Sequence, residues 1–259
     1  MSSGTLATAR AERDAFVADA HARAVRTATR TLTTDQVVFG IGFWAVYAVV
    51  VVAVPLIVRA ADGVMGGGPM MGAAYAFRWF AFSLAIIVFL VVATTHVAAG
   101  GTRRSLFDGV LRATVVVSVL HGLCYVALLL GERALVGGFG WDWDSPVGGA
   151  LDAGRLAVVL VTQVLAAATF VLVGVCLAVG YQSHGIWWAT LRIVPGLLLL
   201  FLAEVGAGNG SGHDVAQNAI PLEGVGPTAL GVAAGVLAPV LAALWTYRSL
   251  GTLRLSQTR

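Results

Sequence analysis

Three residues in the stretch GNGSGHD (208–214), Ser211, His213 and Asp214, are of the types that make a hydrolase triad. Crowded into four positions of a glycine-rich segment, they have no reason to converge with the geometry that nucleophile, base and orienting carboxylate need. Position 209 is asparagine, so Ser211 is not in a GxSxG elbow either. His213 and Asp214 as metal ligands lack further ligands at suitable spacing. A polar loop is the favoured reading, and no metal or cofactor is expected.

All 16 basic residues are arginine. Without lysine there is no GxxxxGK[ST] phosphate loop, so the chain is not expected to hydrolyse ATP itself. The net charge of +3 does not point to nucleic acid, because the arginines lie at the ends of apolar runs rather than in one basic stripe.

Polar residues inside those runs are the next candidates, since intramembrane ionisable groups mark pathways by default. Ser118 and His121 fall in the third run and Gln163 in the fourth. They either line a polar path or hydrogen-bond between helices as packing contacts. Arg78 and Glu204 fall near outer ends, and Arg112, Arg192 and His96 near inner ends, where snorkelling to headgroups is expected.

The elements that must position these residues are membrane spans. The 259 residues are 58% hydrophobic and only 11% charged, against about 25% charged in soluble domains. Six segments supply the roughly 20 apolar residues that a helix needs to cross about 30 Å of hydrocarbon: 37–59, 75–98, 108–131, 155–181, 187–205 and 226–247. Backbone groups in lipid must be satisfied within the segment, so an all-α integral membrane fold is expected. Placing the N-terminus inside puts 12 arginines on the inner side and 4 on the outer, which predicts both termini in the cytosol.

The domain reading is therefore a cytosolic or interfacial N-terminal helix over 1–36, a six-helix transmembrane domain over 37–247 and a cytosolic tail over 248–259. In the first of these, Phe16, Val17, Ala20 and Ala24 fall near one face, with Asp19 and Arg23 at i,i+4 spacing, which suits either an amphipathic helix lying on the inner membrane surface or, the stripe being thin and alanine-heavy, a solvated or frayed helix. No signal peptide is expected. Cys124 and Cys176 fall toward opposite sides, so no disulfide is expected. Trp141 and Trp143 read as interfacial anchors. Pro195 and Pro239 are expected to bend the fifth and sixth spans. Gly231 and Gly235 make a small-xxx-small packing surface on the sixth.

The stretch AAGGTRRSLFDG (98–109) sets two adjacent arginines in a very short inner gap between the second and third spans. A second span ending in GGTRRSLFDG and running straight into a third resembles the permease subunits of ABC-2-type transporters, particularly small six-span permeases common in actinobacteria. The resemblance in layout covers nearly the whole chain, and that in motif about ten residues. It implies a plasma-membrane subunit of an ATP-driven exporter, paired with a second permease copy or a homologous permease and with separate ABC ATPase subunits. It further implies a coupling helix that docks on the ATPase, formed by Gly101, Thr102, Arg103, Arg104, Ser105, Leu106 and Phe107. A second, weaker contact would come from Gln182, Ser183 and His184 in YQSHGIWW (181–188), beside Trp187 and Trp188 as anchors. The glycine-rich segment 206–225 departs from the short re-entrant helices such permeases often carry there. Other classes stay open: an ion-coupled secondary transporter, for which no mid-span carboxylate or repeat is found; a non-transporting membrane assembly or anchoring protein; and an intramembrane enzyme, which lacks a convergent site.

Overall fold

The computed structural model describes residues 3–65, 67–146, 151–208 and 227–253. Six helices take up nearly all of them: α1 Ser3–Ala60, α2 Met70–Ala98, α3 Arg103–Gly138, α4 Ala153–Leu191, α5 Ile193–Ala207 and α6 Pro227–Gly251. Among the described residues the only extended pairing is one isolated bridge, Gly67 with Asp144, between two loops. Six helical segments are long and apolar enough to cross a membrane. Val46, Ile57, Val115, Val161, Leu198 and Val232 are among many large apolar side chains turned outward. Apolar surface on that scale has no place on a water-soluble monomer, and it marks a multi-pass membrane protein.

The centre of the bundle is α4. From Thr169 to Gly180 every residue is buried, as a helix apolar on all faces should be. Small residues let its neighbours close in: a Cβ on Gly174 would stand 2.6 Å from the Phe82 carbonyl of α2. On another face Thr246 of α6 donates to the Leu172 carbonyl at 3.1 Å, and Cys176 Sγ lies 3.2 Å from Ser249 Oγ. Both cysteines are free.

Around this centre α1 and α3 form a long parallel pair. His21 meets Asp108 at one end, Trp44 meets His121 in the middle, and Arg59 lies over the Phe139 ring at the other end. The bundle thus has a terminal end, where the start of α3 and the end of α6 meet, and a far end.

The N-terminal segment differs from expectation. It is continuous with the first span rather than a separate helix, since α1 runs unbroken for 58 residues, about 87 Å. Phe16 and Val17 are exposed, while Val25, Ala28 and Leu32 are buried. This second stripe, at i, i+3 and i+7, seats against α3, where a Cβ on Gly109 would come within 2.6 Å of Ala28 Cβ. The glycine on α3 is what permits this close approach.

Two chain breaks follow, the first of them a correction. The expected inner loop at 181–188 is a helical reversal at one residue: Gly185 has φ 75° and ψ 169°, and the candidate spans on either side are Ala153–Ser183 and Gly185–Ala207. Positive φ is cheap only for glycine. Pro195 lies in the interior of the candidate span Gly185–Ala207, and as expected the helix is interrupted one turn before it, at Arg192 between Leu191 and Ile193, because proline has no N–H to give the Leu191 carbonyl. The prolines inside helices are Pro55 and Pro239.

Candidate functional site

Two polar constructions stand out, one at each end of the bundle. At the terminal end, only Ala99 to Thr102 separate α2 from α3. The α2 end is closed by Gly101 N–H on the His96 carbonyl (2.9 Å) and Gly100 N–H on the Val97 carbonyl (3.0 Å), with Gly100 at φ 81°. This is the Schellman pattern, which needs the left-handed residue that glycine supplies. Gly101 also sits tight against the His96 ring, which a Cβ there would overlap.

α3 then starts at once with a capping box. Ser105 N–H donates to Thr102 Oγ1 and Thr102 N–H to Ser105 Oγ, both at 3.1 Å. His96 Nε2 lies 3.0 Å from Ser105 Oγ, tying the cap to α2. Arg103 donates from Nη1 to the Gly251 carbonyl at 2.9 Å, which closes the end of α6, and Phe107 meets Tyr247 of α6 edge-on at 5.0 Å between ring centroids. Three helices are thereby braced at one turn.

Of the seven residues expected to form a coupling helix, Thr102, Arg103 and Arg104 are exposed, Gly101 and Phe107 are half-buried, and Ser105 and Leu106 are buried. No separate helix exists; Arg103 to Phe107 are the first turns of α3. The charges sit oddly there. A helix N-terminus is its positive end, where each cation costs about 0.3–1 kcal/mol, and no acid occupies this first turn. Arg103 is offset by the α6 carbonyl, whereas Arg104 stands out in the open.

The second contact region is less exposed than expected. Gln182 is half-buried and donates to the Leu90 carbonyl of α2 at 3.1 Å, and Ser183 is also half-buried. The side chain of His184 lies outside the described residues. Trp187 and Trp188 are strongly exposed beside them, as anchors would be.

The far-end construction is a buried polar cluster. Arg78 of α2 does not snorkel: it is fully buried and donates from Nη2 to Gln163 Oε1 of α4 at 3.0 Å. Glu204 of α5, also buried, and Tyr125 of α3 act on it electrostatically. Two helical turns beyond Tyr125, Glu132 reaches under the start of α2. Its Oε1 accepts the Met70 N–H at 2.9 Å, and Oε2 accepts from Trp143 Nε1 at 3.4 Å. Tyr47 of α1 donates to the Pro69 carbonyl beside it at 2.8 Å. Gly68 leaves the space that the Glu132 carboxylate fills, since a Cβ there would overlap it.

The other expected pathway residues sit within the packing. His121 Nδ1 accepts from Trp44 Nε1 at 2.6 Å, and its ring lies against Phe77 at 4.3 Å between centroids. Ser118 is buried, its hydroxyl unpartnered among the described residues. His96 is buried rather than snorkelling. On α6, Gly235 faces Gly206 of α5 so closely that a Cβ on Gly206 would overlap its backbone, whereas one on Gly231 would stand 3.7 Å from the Val205 carbonyl. Gly206 is the half of that contact the sequence did not single out. Ser211, His213 and Asp214 lie outside the described residues. Among those described, no three His, Cys, Asp or Glu residues gather as a metal ion would require.

Comparison with family models, with curated proteins and with solved structures gives no match.

Proposed function

We propose that this chain is the membrane-spanning subunit of an ABC-2-type exporter in the plasma membrane, with two permease chains and separate ATPases working together. The observation that carries the reading is the braced basic turn. Arg103 is bonded to the end of α6, whereas Arg104 is exposed at the positive end of the α3 dipole, where a cation lowers stability, so its presence calls for a use outside the fold. Arg104 is exposed at the terminal end, and a guanidinium suits carboxylates on an ATPase partner. Because the turn is bonded to α2 and α6 as well as α3, a push on it moves three helices together rather than bending one loop. The chain itself then does no covalent chemistry; ATP closes the ATPase pair, and the turn passes that movement to the spans.

The test is co-purification with an ATPase encoded by a neighbouring reading frame, comparing wild type with the Arg103→Ala/Arg104→Ala variant. The expected result is a complex that the double variant weakens at least about tenfold, the 1.4 kcal/mol step of one lost charge pair. If complex and ATP-dependent transport both survive the substitution, the role assigned to this turn is wrong.

A second reading, ion-coupled transport without a motor, is favoured by Arg78, Gln163 and Glu204 buried together. It predicts gradient-driven uptake by vesicles holding this chain alone, lost in Glu204→Gln.

A further inference from the structure

A groove of about 310 Å³ between α1 and α3 is lined by Arg26, Thr29, Arg30, Thr33, Arg112 and Val116, with Thr34 at its rim. Arg26 and Arg30 are one turn apart on α1, and Arg112 comes across from α3, so three exposed arginines from two helices line one groove. None of the lining residues is acidic, and none of the three arginines has a carboxylate partner among the described residues. Asp108, the acid nearest Arg112 in sequence, is held by His21 at 3.0 Å. The hydroxyls of Thr29 and Thr33 are buried and unpartnered among the described residues. Unsatisfied donors beside unpaired cations are what a bound oxyanion would complete.

The position of the groove says what carries the anion. Val116 closes its far-end side, and Val115, Val116, Val119, Leu120 and Leu123 continue from it as an exposed apolar strip along α3. On α1, Val38 and Ile41 are exposed in the same way one to two turns beyond Thr34. Polar oxyanion ligands at one level and outward apolar side chains directly beyond them match a phospholipid, headgroup in the groove and acyl chains along the strip. A free anion would make no use of the strip.

We infer that the α1–α3 groove binds the phosphate headgroup of an anionic phospholipid. Each arginine near an anionic membrane surface contributes about 1 kcal/mol, so removing one weakens binding roughly 5-fold and removing two about 30-fold. The lipid would also fasten the N-terminal part of α1 to α3, in addition to the His21–Asp108 contact. This inference does not depend on what the protein transports.

The experiment is native mass spectrometry of the full chain in neutral detergent, titrated with phosphatidylglycerol and separately with phosphatidylcholine. The expected result is one phosphatidylglycerol bound in preference to phosphatidylcholine, with that preference falling about 30-fold in Arg30→Gln/Arg112→Gln. Arg10→Gln/Arg13→Gln removes the same charge from exposed positions nearer the start of α1 and should leave it unchanged. Thr33→Val, which keeps every charge, should weaken it about 3-fold, the worth of one hydrogen bond. An equal loss in the two arginine pairs, or no preference in wild type, overturns the site. Displacement of the lipid by millimolar inorganic phosphate would make it an anion site and overturn the lipid assignment. Thermal unfolding without lipid identifies a variant that has lost its fold, in which case Thr33→Val decides.

Discussion

Removing the Glu132 carboxylate should loosen the start of α2, and the structure fixes by how much. Glu132 is fully buried and accepts the Met70 N–H at 2.9 Å, an N–H that the helix cannot satisfy from within. A hydrogen bond to a charged acceptor is worth about 1.5–3 kcal/mol. The carboxylate also faces the positive end of the α2 dipole, which adds up to about 2 kcal/mol when partly buried. The Trp143 contact, at 3.4 Å, is too long to add much. Glu132→Ala should therefore cost about 2–4 kcal/mol, and Glu132→Gln, which keeps one acceptor, about half that. Gly68→Ala gives the internal check, because the new Cβ would occupy the carboxylate's space. It should be costly in wild type and much cheaper in a Glu132→Ala background, with a coupling of at least about 1 kcal/mol in the double-mutant cycle. The assay is reversible unfolding of the purified chain in mild detergent. A Glu132→Ala loss below about 0.5 kcal/mol, the level of an ordinary surface change, or additive effects of the two substitutions, would refute the reasoning.

Other expectations follow from the same contacts. Arg78→Ala leaves buried Glu204 and Gln163 facing a gap and should cost about 3–5 kcal/mol, with Arg78→Ala/Glu204→Gln recovering part of it in the same unfolding assay. Trp44→Phe removes the donor to His121 and should cost about 1 kcal/mol, seen as a small fall in melting temperature. Gly206→Ala drives a methyl into the α6 backbone and should lose about 1–3 kcal/mol. Gly231→Ala, whose Cβ meets only ordinary contact at 3.7 Å, should stay within about 0.5 kcal/mol of wild type.

The six spans were legible because lipid imposes a compositional rule that each segment obeys by itself. So was the position of the α2–α3 turn, since arginines and glycines between two apolar runs leave little choice. What was not legible depended on a neighbour. Val25, Ala28 and Leu32 read as part of a weakly apolar, arginine-rich segment, and only the glycine at 109, remote in sequence, makes them a packing stripe. Arg78 looked free to snorkel because its partners Gln163 and Glu204 arrive from two other helices. Glu132 falls just past the expected end of the third span at 131, and it is the continuation of α3 to Gly138 that carries it beneath Met70. The glycine pair on α6 was visible as a pattern, but its counterpart Gly206 belongs to a different helix and carries no pattern of its own. At 185 the reversal rests on one positive-φ glycine, a break too short for any hydropathy window.

The most direct test of the proposed role is site-directed cross-linking from the basic turn. With Cys124 and Cys176 replaced, Arg104→Cys is labelled with a photoactivated cross-linker in membranes that also hold the ATPase of a neighbouring reading frame, and Asp62→Cys at the far end serves as the comparison. The account predicts an ATPase adduct from position 104 that changes in yield with ATP, and none from position 62. Equal adducts from both positions, or an adduct from position 62 alone, would contradict it.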